Sequence, residues 1–367
     1  MNQITLLKLL DKIIGYPLSS LLPQIWKYHK NTPEKFESIL IIRPGGIGDA
    51  VLLLPALNAL KATFPDSQID VLCEKRNADV FSLSKETNRI YLYDKVSSLF
   101  QCLSSKYDVV IDTEQWHRLS AVVAYLTRAP IRIGFRTNER IKLFTHHIPY
   151  SHDDYEVYSF FHLIEPLINI THHFNVYEPF IDISHSMYPH PLSGLKKEDK
   201  LIAIFPGTSI KQKRWGGDKF GKVARSLYAI GHTIVIFGSS ADRDNAERIK
   251  KYVANCIDLT GKTNLRDVAA VLKMSKVLIT TDTGLMHLAY AVGTPTVSLF
   301  GPSIEKKWAP KGNGHIVINK HLGCSPCTRF GYTPRCKRNV ECLSLISVDE
   351  VIRAAEIILN TNNADIV

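Results

Sequence analysis

ILIIRPGGIGDAVLLLPALNALKATFP, residues 39–65, passes from a β-branched run through a glycine-rich turn into a helical repeat. Ile39–Arg43 has the continuous apolar character of a strand buried on both faces. Gly45, Gly46 and Gly48 permit a tight turn and close backbone approach. Asp49 then opens the next segment, where a carboxylate suits a helix start. AVLLLPALNALKATFP has helical spacing. Strand, glycine turn and helix in that order are the first unit of a doubly wound parallel sheet, whose ligands bind beyond the carboxyl ends of its strands. The turn is not a complete dinucleotide fingerprint, because Val51 stands where a third glycine belongs.

Outward from this unit the alternation continues. Gln68–Glu74, Arg89–Tyr93, Asp108–Thr113 and Ile131–Phe135 read as further buried strands. A second series begins at residue 201 with LIAIFPG, TIVIFGS, CIDLTG, VLITTDTG and PTVSLFG, separated by helical stretches such as Phe220–Ala229 and Leu265–Met274. Between the series, SHSMYPHPLSGLKKEDK has no period and reads as a connection. The economical fold is α/β, two Rossmann-like domains in tandem. The expected division is an extension over 1–38, a first domain over 39–190, a linker over 191–200 and a second domain over 201–367, with a cysteine-rich insert at 324–342.

Composition narrows the setting. With 367 residues, 45% hydrophobic and 22% charged, the chain is long enough for two globular cores. The net charge of +10 favours an anionic partner. Seven cysteines, an odd number, argue against a secreted disulfide scaffold. No secretory signal and no apolar run near 18 residues is visible, so the expected location is the cytoplasm.

The extension has its own character. Leu6, Leu7, Leu9, Leu10, Ile13 and Ile14 share one helical face, and Lys8, Asp11 and Lys12 the other. Pro17 and Pro23 interrupt a segment whose apolar theme continues through Leu18, Leu21, Leu22, Ile25 and Trp26. Two readings stand: an interfacial anchor on the inner face of a membrane, with Trp26, Lys27 and Lys30 at the headgroups, or a helix packed on the body.

In the second series, FPGTSIKQKRW sets Gly207, Thr208 and Ser209 just after a strand and Lys211, Lys213 and Arg214 close behind. Hydroxyls with a nearby ammonium suit a phosphate. TTDTGLMHLAYAVGTPTVSLFGPS places Asp282, Thr283 and Gly284 at a strand-to-helix junction, where open N–H groups and the helix dipole favour an anion. His287 lies one turn into that helix and is a candidate to face the ligand.

Taken together, GGIGDAVLLLPAL, RIGF (132–135), PGTSIKQKRW, FGSSADRD, DLTGKTNL, TDTGLMHLAYAVGTPTVSLFGP and CSPC resemble glycosyltransferase family 9, in that family's order and spacing from about Ile39 to about Leu359. The resemblance implies a GT-B fold, with two Rossmann-like domains facing a central cleft. It implies a first domain for the acceptor, a second for the nucleotide sugar, and metal-independent, inverting transfer of heptose from ADP-heptose to lipopolysaccharide. By motif, Asp49 matches the general base and Lys213 the lysine that holds the donor phosphates. Thr208 and Ser209 match the adjoining hydroxyl pair, and Thr283 and Gly284 the pyrophosphate-binding helix start. Asp282 matches the aspartate near the sugar hydroxyls and Asp242 an acidic residue at the ribose. Gly46 and Gly48 belong to the same glycine turn as Asp49.

The expected partners are therefore a nucleotide sugar and an anionic glycan or glycolipid, with peripheral membrane contact and no nucleic acid. In RAPIRIGFRTNERIK, Arg128, Arg132, Arg136, Arg140 and Lys142 are either acceptor contacts or solvated surface charges. Cys324, Cys327, Cys336 and Cys342 offer a C-x2-C-x8-C-x5-C set that could close a structural zinc or iron site. Free thiols or one disulfide are the other readings. A donor carrying UDP or GDP keeps the same fold, and a membrane-docked, non-catalytic GT-B scaffold is a third reading. An NAD-dependent dehydrogenase is disfavoured by the incomplete fingerprint.

Overall fold

A computed structural model describes residues 9–23, 35–168, 175–183 and 200–364. The chain divides into two compact units, Met1–Phe174 and Asn175–Val367.

The first unit is built on six parallel strands: β1 (Ser38–Arg43), β2 (Gln68–Cys73), β3 (Ile90–Leu92), β4 (Val109–Asp112), β5 (Ile131–Arg136) and β6 (His146–Pro149). Their order is β3-β2-β1-β4-β5-β6, so the chain builds leftward from β1 and then jumps back to β4. β1, β2 and β4 are buried almost throughout, as their unbroken Ile, Val and Leu runs require. β6 was not legible: HHIP has no apolar run, and the strand is a half-buried edge beside β5. The helices α2 (Ile47–Thr63), α3 (Val96–Ser104), α4 (Leu119–Leu126) and α5 (Glu156–Ile164) complete the layers, after a first helix α1 (Tyr16–Leu21) that follows a π-helical turn at Asp11–Gly15. Leu40, Ile42, Leu72 and Val110 of the sheet share one core cluster with Cys102 of α3 and Ala121–Ala124 of α4.

The second unit repeats the plan with β7 (Leu201–Phe205), β8 (Thr233–Ile236), β9 (Ile257–Asp258), β10 (Val277–Thr281), β11 (Thr296–Phe300) and β12 (His315–Asn319), again all parallel. Their order, β12-β11-β10-β7-β8-β9, is the first sheet's order read from its other edge. The helices that matter below are α6 (Gly217–Ala229), α7 (Leu265–Met274), α8 (Gly284–Ala291) and α9 (Val348–Ala364). A cluster of Ile202, Ile204, Phe220, Leu227, Ile279 and Ala355 joins sheet, α6 and α9. Residues 175–183 belong to this unit, where the N–H groups of Phe180 and Ile181 both donate to Ala291 O, at 2.9 and 3.0 Å. Most of the stretch read as a linker lies outside the described residues.

The amino-terminal segment is packed on the first unit by its polar and small residues, with its apolar side outward. Asp11, Gly15 and Ser19, four residues apart, are buried, while Leu9, Ile13, Ile14, Leu18 and Leu21 are exposed. Asp11 Oδ1 accepts from Arg118 N at 2.6 Å and Leu119 N at 2.8 Å, satisfying N–H groups at the start of α4. Gly15 permits the approach, since a Cβ there would sit 3.2 Å from Leu119 Cγ. Lys142 Nζ donates to Ser20 O at 2.6 Å, and the Arg118 guanidinium lies 5.3 Å over the Tyr16 ring. Leu6, Leu7, Lys8, Ile25, Trp26, Lys27 and Lys30 lie outside the described residues. No described helix is long and apolar enough to cross a membrane.

Burial works to raise the Asp11 carboxyl, but His117 and the Leu119 and Arg118 N–H groups outweigh it and hold it below its usual range. Its contribution is therefore present above the ordinary carboxylate pKa of about 4 and is lost as the pH falls through its lower folded value. Asp11→Ala should cost about 1 kcal/mol, the usual size of a lost helix cap. Amide exchange should accelerate over 9–22, and unchanged exchange there would remove Asp11 from this role.

Candidate active site

On the first unit, the site grows from the carboxyl end of β1. Gly45 has φ +117°, which only glycine adopts without strain, and Gly46 precedes the first turn of α2 with no side-chain cap. Gly48 and Asp49 are the second and third residues of that helix, and Asp49 is half-buried. A Cβ on Gly46 would lie 3.2 Å from Asp49 Oδ2, so the small residue keeps the turn open around the carboxylate.

Behind Asp49 lies a buried polar network that the sequence did not reveal. Arg43 donates from Nε to Pro44 O at 2.9 Å and from Nη1 to Thr113 O at 2.8 Å, and pairs with Glu114 at 3.4 Å. Burial alone would loosen its proton, but Asp49 first, then Glu114, Glu156 and Asp112, hold it more tightly than usual. Gln115 Nε2 donates to Glu156 Oε1 at 2.6 Å, and Tyr150 OH donates to Glu156 Oε2 at 3.2 Å. Arg140 forms a fully buried ion pair with Asp112 and donates to Glu114 O. Burial pushes the Asp112 carboxyl up against the pull of Arg140, whereas Arg43 and His117 overcome burial at Glu114 and bring it down. The available signals were Arg43 ending a buried strand and Asp112 ending another.

The arginine-rich segment needs correction. Arg132 and Arg140 are neither acceptor contacts nor solvated. Arg132 is buried, donating to Leu143 O and Ala129 O, and Arg140 is consumed by Asp112 and Glu114. Arg128 and Arg136 are exposed. Surrounding carbonyls and carboxylates recruited two of these charges inward.

On the second unit, the loops after β7 and β10 lie side by side because these strands pair, Phe205 opposite Thr280. Lys213 leaves a short turn, Lys211–Lys213, that is anchored two residues on by Trp215, whose indole donates to Ile346 O at 3.1 Å and meets Phe220 edge-on. Lys213 Nζ reaches Asp282 Oδ2 at 2.5 Å. Asp282 is only 7% exposed, and Lys213, with Ser303 and His287, overcomes burial to hold its carboxyl below the usual range. Thr283 precedes α8 without capping it, and Gly284 is its first residue, so the start of the helix is open to an anion. Thr283 Oγ1 lies 3.3 Å from Thr280 Oγ1.

Thr208 is half-buried and accepts from Ile210 N at 3.3 Å, while Ser209 is exposed. Asp242 packs so closely on Gly207 that a Cβ there would lie 2.4 Å from its Oδ1. Its other oxygen accepts from Ser239 N and Oγ, both at 2.8 Å. His287 is 3% exposed, within the field of Asp282 and edge-on to Trp308. It lies beneath the helix start, where little surface remains for a ligand.

The cysteine set does not fit a metal as placed. Among the described residues no group of three or more His, Cys, Asp and Glu is arranged to hold an ion. Cys324 and Cys336 are exposed, Cys327 is half-buried and Cys342 is buried against Gly301 and its neighbours. Cys336 Sγ accepts instead from Arg338 N at 3.4 Å and Val340 N at 3.3 Å. Burial, followed by the neighbouring thiols of Cys327, Cys336 and Cys324, raises the Cys342 thiol to about 11. The expectation of zinc or iron here finds no support.

Two Rossmann-like units thus each carry a polar site at the strand-order reversal, and the second sets a cation beside an open helix start, an arrangement suited to an anionic group. The chain belongs to glycosyltransferase family 9 (heptosyltransferase), whose family model matches residues 96–336. It is 27% identical over 339 residues to lipopolysaccharide heptosyltransferase 3 of Escherichia coli K12, covering 85% of this chain and 95% of that protein. It is 25% identical over 337 residues to lipooligosaccharide heptosyltransferase 2 of Campylobacter jejuni, covering 89% and 99%. The solved E. coli ADP-heptose lipopolysaccharide heptosyltransferase II superposes with a TM-score of 0.73 at 23% identity, covering 89% of this chain and 99% of that one. The fold is GT-B, and the protein is a glycosyltransferase.

The buried pair gives a stability prediction. Arg140→Ala leaves Asp112 as an uncompensated buried carboxylate and should cost about 3–5 kcal/mol in chemical denaturation. A loss below about 1 kcal/mol, the scale of an exposed pair, would show that Asp112 does not depend on Arg140.

Proposed function

We propose that this glycosyltransferase moves heptose from ADP-heptose, with inversion, onto a lipopolysaccharide inner core or related anionic envelope glycan. The observation that carries this reading is the Lys213–Asp282 pair beside the uncapped start of α8. An ammonium and a row of helix-terminal N–H groups suit a departing nucleoside diphosphate. The membership of family 9 and the names of the heptosyltransferase relatives supply the sugar.

The chemistry is a single displacement. An acceptor hydroxyl oxygen attacks the anomeric carbon as the bond from that carbon to the diphosphate oxygen breaks. The hydroxyl proton passes to the Asp49 carboxylate, which later releases it to water. The electron pair of the broken bond stays with ADP, where Lys213, Thr283 N–H and Gly284 N–H meet the growing charge. Thr208 and Ser209 add neutral donors to the phosphates, Asp282 receives hydroxyls of the sugar, and Asp242 lies on the ribose side. The Arg43 network holds the turn that carries Asp49. The reaction is assigned to the cytoplasmic face of the inner membrane, with the protein in peripheral contact with the surface that bears its acceptor.

Donor selectivity tests this first. ADP-heptose at a hundredfold excess over its dissociation constant should stabilise the protein by about 2.7 kcal/mol. UDP- and GDP-sugars should do little, and Lys213→Ala should lose the response. Selective stabilisation by a UDP- or GDP-sugar would move the function to another donor.

Asp49→Asn should lower transfer by roughly 100- to 10,000-fold, the span of general-base contributions, while keeping the donor's stabilising effect. Turnover like that of the unmodified enzyme would remove Asp49 from the base role.

A further inference from the structure

We infer that the outward face of the amino-terminal helix is a docking surface for an anionic phospholipid bilayer, pinned beside the acceptor-side network. A helix packed on a protein body ordinarily buries its apolar stripe. Here Asp11, Gly15 and Ser19 face inward, while Ile13 is 59% exposed and Leu21 80%, with Leu9, Ile14 and Leu18 exposed beside them. The inversion is held by specific contacts. Asp11 binds the Arg118 and Leu119 N–H groups, Gly15 closes onto Leu119, and Lys142 reaches Ser20 O.

Charge decides what covers this face. Asp11, the one acid among residues 9–23, is turned inward and Lys12 is exposed, so the outward side carries positive charge only. The whole chain carries +10, which favours an anionic surface over a neutral one. Exposed apolar side chains beside Lys12, on a chain of net charge +10, match an anionic lipid surface, whereas a second copy would bring like charge against like. The same side of the sheet offers more apolar surface. Right-handed crossovers carry α3 and α4 onto one face, where Val96, Phe100 and Leu126 are exposed.

Asp11 also fixes where the bilayer would sit. It caps α4, whose chain arrives directly from β4 and the Asp112–Gln115 segment of the polar network. The membrane is thereby brought to the end of the sheet that carries Asp49, a consequence that rests on the reading of a lipid-borne acceptor.

The test is co-sedimentation of the full chain with vesicles of phosphatidylethanolamine and phosphatidylglycerol, against vesicles of phosphatidylcholine alone. Binding to the anionic vesicles should be tighter by about tenfold or more, and Ile13→Ser with Leu21→Ser should lose at least about tenfold. That variant should keep its melting temperature, its stabilisation by donor and its transfer to a delipidated, soluble acceptor. Equal binding by the variant, no preference for anionic vesicles, or a concentration-dependent dimer abolished by the same substitutions would overturn the docking surface. Donor selectivity fails or survives independently, since it is read without vesicles.

Discussion

In each unit the chain builds a parallel sheet outward from its first strand and then returns to the other side of it. That reversal, between β1 and β4 and again between β7 and β10, leaves a crevice that no crossover helix covers. The residues to which chemistry is assigned gather at these two openings. Gly46 and Asp49 follow β1, and the Asp112–Gln115 segment follows β4. Gly207 to Lys213 follow β7, and Asp282 to Gly284 follow β10. The architecture is repeated, but the electrostatics are not. The first opening presents the half-buried Asp49 over a buried network in which carboxylates are paired with Arg43 and Arg140. The second offers an ammonium and a helix start, suited to receiving negative charge.

Keeping the first opening in shape means burying charge, which costs free energy unless each group is paired and hydrogen-bonded. Arg43 justifies its burial by geometry. Its guanidinium ties Pro44 O, beside the glycine turn, to Thr113 O, at the exit of β4. The turn bearing Asp49 is thus stapled to the neighbouring strand rather than left to glycine's freedom. Asn77 Nδ2 adds a third tie, donating to Arg43 O at 3.0 Å. Trp215 plays the matching part in the second unit, where its indole and ring hold the loop that presents Lys213.

Much of this plan was legible because parallel sheets write themselves as apolar runs punctuated by glycine. Leu265–Met274 coincides with the observed helix, and the principal strands differ from expectation by a residue or two. β6 and β12 were not legible, since half-buried edge strands at His146 and His315 need no continuous apolar run. The sequence displayed Lys213 and Asp282 as separate motifs. Their ion pair depends on β7 and β10 being neighbours, which only the topology provides. The inward turn of Asp11 and Arg140 was hidden for a different reason. Helical periodicity sorts residues by hydrophobicity, and it is blind to a distant backbone that lacks a hydrogen-bond partner. Arg118 N and Leu119 N supplied that demand for Asp11, and Asp112 did so for Arg140.

The Lys213–Asp282 pair links donor recognition to leaving-group departure under the proposed function. Before the donor arrives, the lysine's charge is already balanced by a carboxylate that the lysine itself holds below its usual range. A diphosphate must therefore compete with Asp282 for Lys213, and it brings the start of α8 to its side of that competition. When the ammonium turns to phosphate, Asp282 is left buried with an acceptor that needs new hydrogen bonds. The hydroxyls of the donor sugar can supply them. Nucleotide alone would disturb the pair without satisfying the carboxylate, and sugar alone would not draw the lysine away. One ion pair thus makes the site favour the intact nucleotide sugar over either of its halves.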